Sequence, residues 1–329
     1  VVRTEQGLYG DNTDAQGFLY MAKRAGIEFS GRKVLVFGSG GASLTAQYVA
    51  RSRGAREVVA ISRSGENNYH NLSRHEDAQI LVNATPVGMF PGNGEAVADL
   101  SAFPRCEGVL DLIYNPRRTA LLLQAEALGI PHADGLPMLV EQARAAEELF
   151  FCKAIPESET ARILKLLRRE TGNIVLIGMP YSGKSTLGRK LAKVLNKHFV
   201  DIDEELKKRE LDLNALYPDV ERFRKAEAEE TISQANVRGK VIACGGGVVL
   251  NPEAMGHLQG NGIILFLDAS PEKLAERLDG TRPLLKSRED LFKTYRERID
   301  LYGKYADIIV PEGMSINKIK ERIYAHLGD

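Results

Sequence analysis

The chain has 329 residues, more than one ordinary core requires and enough for two, because domains usually run to about 100–200 residues. Apolar residues make up 43% and charged residues 27%, a globular mixture, while 44 basic side chains balance 44 acidic ones and exclude the long-range positive field that draws in nucleic acid or an anionic membrane. Cys106, Cys152 and Cys244 stand far apart without CxxC spacing, which argues against a disulfide framework or a zinc site and suits a reducing cytoplasm, and no run approaches the roughly 20 apolar residues that span a bilayer.

In chain order, Val1–Thr4 reads as a strand leading to Gly7-Leu8-Tyr9-Gly10. The chain opens without methionine, so an upstream segment is expected. Lys33–Arg53 then has the grammar of a short apolar strand, a glycine-rich turn and a helix, by which α/β proteins set a phosphate on a helix N-terminus. Further apolar runs at Glu57–Ile61, Ile80–Ala84 and Val109–Ile113 predict a doubly wound parallel sheet. Met138–Phe151 and Ser158–Arg169 carry apolar residues at helical spacing, with Ser158 as N-cap and Gly172 as stop. The strand–turn–helix grammar returns at Asn173–Leu195, followed by apolar runs at Phe199–Ile202, Lys240–Ala243, Ile263–Leu267 and Asp307–Val310. The expectation is an α/β protein of two domains, residues 1–172 and 173–329, each with its own sheet and joined by a linker short enough for them to touch.

Gly178-Met179-Pro180-Tyr181-Ser182-Gly183-Lys184-Ser185 matches G-x-x-x-x-G-K-[ST] at every fixed position, between an apolar strand and an amphipathic helix. Backbone N–H groups of such a loop wrap phosphates, Lys184 reaches the β and γ oxygens, and the Ser185 hydroxyl ligates Mg²⁺. Gly178, Gly183, Lys184, Ser185 and Thr186 are therefore candidate ATP contacts. A second metal-supporting acid is absent after Val241-Ile242-Ala243, which runs into Cys244-Gly245-Gly246-Gly247. Asp201-Ile202-Asp203 closes the strand after the P-loop helix, and alternation would point both carboxylates to one side, one for the metal and one for an acceptor hydroxyl. The blander alternative is a helix-capping pair, since Asp203-Glu204-Glu205 also reads as a helix start.

The P-loop, the Asp-x-Asp, Phe223-Arg224-x-x-Glu227, Gly245-Gly246-Gly247, Arg282-Pro283-Leu284-Leu285, and Arg298 followed by Leu301-Tyr302 stand in the order found in shikimate kinases, which residues 173–329 resemble. The resemblance implies that Asp201 supports Mg²⁺, that Asp203 binds the acceptor hydroxyl as base, and that Arg224 and Arg298 clamp the carboxylate of shikimate. Glu227 would orient the clamp, and Gly246, within Gly245–Gly247, would let backbone N–H groups approach the substrate. Arg282 would act from a lid over ATP, stabilising charge on the transferring phosphoryl group. Asp219-Val220, after Pro218, departs from the Gly-Glu usual in that family.

In the first half, Gly38-Ser39-Gly40-Gly41-Ala42-Ser43 follows the strand Val34–Phe37 and opens a helix, with Ser43 where a dinucleotide fingerprint has its third glycine. The next strand ends in Ile61-Ser62-Arg63-Ser64 instead of an acid, and a positive, hydroxyl-rich end favours NADP over NAD; a solvated loop arginine is the plainer reading of Arg63. Together with Gly10-Asp11-Asn12-Thr13-Asp14, Asn83-Ala84-Thr85-Pro86-Val87-Gly88-Met89, Asp111-Leu112-Ile113-Tyr114-Asn115-Pro116 and Gly135-Leu136-Pro137-Met138-Leu139-Val140-Glu141-Gln142, these motifs resemble shikimate dehydrogenase. That resemblance implies a Rossmann-type NADP-binding domain in which Asp14 touches 3-dehydroshikimate and shares proton transfer with a lysine. Tyr114 and Gln142 would contact substrate, while Asn83, Thr85, Met89, Gly135 and Met138 line the nicotinamide. An ordinary turn at Asn83–Pro86 and a core role for Met138 are the plainer readings. The family's N-terminal substrate domain with its catalytic lysine is not in this sequence, where no lysine precedes Lys23. Weak NADP binding, poor dehydrogenase turnover and apolar surface left exposed along Met138–Arg169 are the expectations; a non-catalytic module attached to the kinase is the alternative.

Overall fold

A computed structural model describes residues 1–5, 7–208, 220–278 and 287–328. The chain divides into two compact units, 1–166 and 167–329, the division falling inside the helix Glu157–Thr171.

The first unit opens with a hairpin of β1 (Val2–Thr4) and β2 (Gly7–Tyr9), followed by the helix Asp14–Arg24. Its main sheet contains β3 (Lys33–Phe37), β4 (Glu57–Ile61), β5 (Ile80–Asn83), β6 (Gly108–Asp111) and β7 (His132–Ala133), all parallel, in the order β4-β3-β5-β6-β7. Apolar residues run without interruption along β3 because both faces are covered: Val34 and Val36 enter one core layer, Leu35 and Phe37 the other. The helix Gly41–Ser52 follows β3. Chain direction across the sheet reverses between β4 and β5 on either side of β3, so the turn after β3 lies at a topological switch point, where open α/β sheets bind ligands. The helix Leu136–Phe151 packs on Asp14–Arg24.

The second unit has β8 (Asn173–Ile177), β9 (His198–Asp201), β10 (Lys240–Ala243), β11 (Gly262–Asp268) and β12 (Ile308–Pro311), again all parallel, in the order β12-β11-β8-β10-β9. Central β8 repeats the logic of β3, with Val175 and Ile177 in one layer and Ile174 and Leu176 in the other. Its loop therefore opens at this sheet's switch point, flanked by β10 and β11.

The strands themselves follow the apolar runs, but three end earlier than those runs suggest. β5 stops at Asn83, β6 at Asp111 and β9 at Asp201. In each case the side chain captures the backbone N–H two residues on: Thr85 N to Asn83 Oδ1 at 3.0 Å, Ile113 N to Asp111 Oδ1 at 3.0 Å, Asp203 N to Asp201 Oδ1 at 3.1 Å. This local bond competes with the ladder and turns the chain. Ser158 is likewise not an N-cap, since the helix begins at Glu157 after Pro156, whose carbonyl accepts from Glu159 N at 2.9 Å. Among the described residues no helix is long and apolar enough to cross a membrane.

Candidate active site

The P-loop bends through Gly178 (φ 143°), Tyr181 (φ 68°) and Gly183 (φ 88°) before the helix Lys184–Leu195 begins. A Cβ on Gly178 would stand 2.8 Å from the Leu267 carbonyl oxygen of β11, so that glycine is needed for space as well as for conformation. Lys184 is buried and folds back over its own loop, donating to Gly178 O at 3.0 Å and Met179 O at 2.8 Å. The Ser182 hydroxyl is buried with no hydrogen-bond partner, a donor suited to a phosphate oxygen at the mouth of the loop. Ser185 Oγ donates to Asp201 Oδ2 at 2.5 Å.

Strand alternation does not explain the two aspartates. Asp201 ends β9, whereas Asp203 sits in the first turn of the helix Ile202–Lys208, and Asp201 Oδ1 accepts from the N–H groups of Asp203 and Glu204. Asp201 thus caps that helix while its other oxygen faces Ser185. Both aspartates nevertheless line one cleft of about 1070 Å³, together with Lys184, Ser185 and Thr186. Ser185 and Asp201 form an oxygen pair that could complete the shell of a Mg²⁺ ion already carrying phosphate and water ligands. Among the described residues no group of three or more His, Cys, Asp or Glu makes a self-sufficient metal cage.

Beyond the aspartates, the turn after β10 gathers the remaining side chains. Arg224 and Glu227 pair on the helix Val220–Ala235. A Cβ on Gly247 would strike the Arg224 guanidinium, one on Gly245 would strike the Glu227 carboxylate, and the Gly245 position is also 3.5 Å from Asp203 Oδ1. Arg298, on the helix Arg288–Tyr305, donates from Nη1 to Gly246 O at 3.0 Å, and its Nε is buried without a partner. The two arginines therefore flank one glycine turn, within electrostatic reach of Glu227. Burial raises the Glu227 carboxyl above its usual range, against the pull of Arg224 and Arg298, and the Asp203 charge pushes the same way as burial. A Cβ on Gly246 would meet Pro180 at 2.7 Å, so its missing side chain admits the P-loop, while Gly245 and Gly247 admit the Glu227 carboxylate and the Arg224 guanidinium. Arg282, Pro218 and Asp219 lie outside the described residues.

Lys273, Arg277 and Glu312 also line the cleft and had no motif to announce them. Arg277 Nη1 donates to Tyr181 O at 3.2 Å, and Glu312 accepts from Lys273 at 2.6 Å and from Arg277 at 2.7 Å. Both bonds hold the Glu312 carboxyl below its usual range.

In the first unit, Gly40, Gly41 and Ala42 are exposed at the start of their helix, and a Cβ on either glycine would meet nothing within 4 Å. Gly38 takes φ 119° and passes 2.7 Å, by its Cβ position, from Ala84 O. Ser43, at the third glycine position, is buried and donates to Gly38 O at 2.7 Å, so the serine closes the turn. Arg63 and Ser64 are exposed beyond β4, whereas the Ser62 hydroxyl accepts from Gly65 N at 2.9 Å and holds their loop.

Several residues expected on the nicotinamide side also have structural work. The Asn83 amide donates to Asp111 Oδ1 and Val87 O and accepts from both Thr85 N and Thr85 Oγ1. Met138 is core, packed with Phe18 and Met21, and Gly135 is required because a Cβ would strike the Leu112 carbonyl. Met89 and Tyr114 are exposed. Asp14 begins the helix whose Gly17, one turn on, would place a Cβ 3.2 Å from Gln142 Cβ. Phe150, Phe151 and Leu166 are exposed along the two helices that follow Gly135.

A phosphate loop at the switch point of a five-stranded parallel sheet, with an acid pair and two arginines beside it, defines the second unit as a P-loop nucleotide-binding protein. Residues 180–327 match the family pattern described as shikimate kinase. Over 152 residues the chain is 38% identical to a shikimate kinase of Mannheimia succiniciproducens, covering 43% of this chain and 86% of that protein. The chain belongs to the shikimate kinase family. It is also 30% identical over 173 residues to a shikimate dehydrogenase (NADP(+)) of Clostridium perfringens, covering 49% of this chain and 64% of that protein, so it spans under two thirds of the length of this relative. A chorismate mutase/shikimate 5-dehydrogenase fusion protein from Clostridium acetobutylicum superposes with a TM-score of 0.47 at 32% identity, over 50% of this chain and 63% of that one.

Proposed function

We propose that the second unit transfers the γ-phosphate of ATP to the 3-hydroxyl of shikimate. The reading rests on one observation above all: Arg224 and Arg298 flank the glycine turn that also meets Glu227 and Asp203, with Pro180 of the P-loop against the same turn. A planar carboxylate can be gripped there by two guanidinium groups, one with its Nε unpartnered, while the hydroxyl lies toward Asp203. Asp203 accepts the proton of that hydroxyl as its oxygen bonds to the γ-phosphorus and the bond to the ADP oxygen breaks. Lys184 exchanges its loop carbonyls for the β and γ oxygens, and Ser182 and the loop N–H groups hold the remaining charge. Ser185 and Asp201 would hold Mg²⁺, which would supply neutralisation of phosphate charge. Arg282 is assigned the charge developing on the transferring group.

Release of ADP, coupled to a spectroscopic assay with shikimate and a panel of hydroxy acids, tests the reading. Asp203→Asn should lower kcat by about 10²–10⁴-fold with ATP binding intact. Arg298→Ala should raise the KM for shikimate by about 10–100-fold, the value of a charge-assisted hydrogen bond. Near-normal turnover by Asp203→Asn would remove the base from this scheme.

For the first unit we propose an NADP(H) cradle at Gly38–Ala42 and Arg63, belonging to an NADPH-dependent reduction of 3-dehydroshikimate to shikimate, the acceptor for the second unit; a non-catalytic binding module is the alternative. The support is the open space above Gly40 and Gly41 and the exposed arginine at the end of β4, where no acid stands. Fluorescence titration should give weak binding with NADPH preferred to NADH, and Arg63→Ala should abolish the preference. Equal affinities in the unsubstituted chain would refute the NADP assignment. Steady oxidation of NADPH by 3-dehydroshikimate would exclude the binding-only alternative.

A further inference from the structure

Among the described residues Tyr302 is the largest fully buried side chain, and the phosphotransfer scheme gives it no task. Its ring stacks on Phe266 of β11, with centroids 5.3 Å apart and planes at 14°, so apolar packing accounts for the ring. The hydroxyl is another matter. It donates to Gly246 O at 2.5 Å and lies 3.9 Å from Met179 Sδ in the P-loop. Gly246 O is the same acceptor that takes Arg298 Nη1 at 3.0 Å, and a carbonyl oxygen has two lone pairs for two such donors. Arg298 and Tyr302 are four residues apart on one helix face, so one carbonyl ties both to the glycine turn.

We infer that Tyr302 is a positioning residue for the acceptor: by fixing the Gly246 carbonyl it sets the orientation of the Arg298 guanidinium, so carboxylate binding depends on a hydroxyl that never touches the substrate. The inference rests on the phosphotransfer reading above. Burial pushes the phenol up to about 12, while Arg298 pulls it down by charge and a hydrogen bond, so the group remains a donor throughout the neutral range. A phenylalanine would keep the stacked ring and lose only the pin on Gly246.

Steady-state kinetics of the whole chain with Tyr302→Phe tests this. The KM for shikimate should rise about tenfold with the KM for ATP unchanged, and the preference for shikimate over its carboxamide should fall by a similar factor. Arg298→Lys should cost less in the Tyr302→Phe background than in the unsubstituted chain, because the two act through one carbonyl. An unaltered KM for shikimate, an equal rise in both KM values, or an unchanged preference for the acid would overturn the inference, each pointing to a merely structural tyrosine. If the Phe variant does not fold, Tyr302→Met removes the hydroxyl while filling the core and is read by the same three measurements. Failure of the unsubstituted chain to phosphorylate shikimate would sink the functional reading itself, whereas normal wild-type turnover beside an unaltered variant sinks only the role of Tyr302.

Discussion

A single buried side chain shows how far environment outweighs identity. Asp111 belongs to a motif that the sequence reading connects with substrate, yet it is fully buried, its Oδ1 accepting from Asn83 Nδ2 and Ile113 N and its Oδ2 from Thr119 Oγ1. Burial dominates those three bonds and lifts the carboxyl to about 6. This is a raised carboxyl, opposite to the usual salt-bridged case. The folded state holds the proton more tightly, so the contribution favouring folding is fully present below pH 3.8, is lost as pH rises to about 6, and is flat above that. The loss amounts to roughly 3 kcal/mol. A ¹³C carboxyl titration of Asp111 should have its midpoint near 6; one near 4 would mean that the hydrogen bonds outweigh burial.

Among the elements, the strand ends carry the lesson. Apolar runs locate β5, β6 and β9, but they continue through Ala84, Leu112-Ile113 and Ile202, and apolar pattern has no means of marking the stop. Asn83, Asp111 and Asp201 supply it, each binding the N–H two residues on, and each lies at the C-terminal edge where ligands approach an open sheet. Helix packing offers a sharper test. Gly17 lies in the helix Asp14–Arg24, where alanine would ordinarily gain about 1 kcal/mol. Here its Cβ would sit 2.5 Å from Met138 O, a backbone atom that cannot swing aside, and overpacking of that kind costs about 1–3 kcal/mol. Gly17→Ala should therefore lower the urea midpoint of the first unit, with a net cost of up to about 2 kcal/mol; a raised midpoint would show that helix propensity wins.

At the scale of the whole molecule, the two units have cores with no residue in common: one pair of layers is built on β3 and the other on β8. Two cores predict two unfolding transitions. Shikimate and a non-hydrolysable ATP analogue, each at about 100 times its Kd, should each stabilise the second unit by about 2.7 kcal/mol and leave the other transition unmoved. A single transition displaced by those ligands would mean that the units unfold as one, and differential scanning calorimetry distinguishes the outcomes.

The sequence by itself determined the class of each half. Uninterrupted apolar runs require strands covered on both faces, and a glycine-rich turn ending in Gly183-Lys184-Ser185 between strand and helix has one well-defined use. It also singled out the residues proposed to bind the acceptor, because their types and order are distinctive. Tertiary structure alone decided which atoms meet. That Gly245 and Gly247 make room for Glu227 and Arg224, that Gly246 faces Pro180, that Asn83 and Met138 serve the interior, and that Lys273, Arg277 and Glu312 join the cleft all depend on segments well separated in the chain. Close approach between distant segments is set by packing, and packing leaves no local period in the chain to be read.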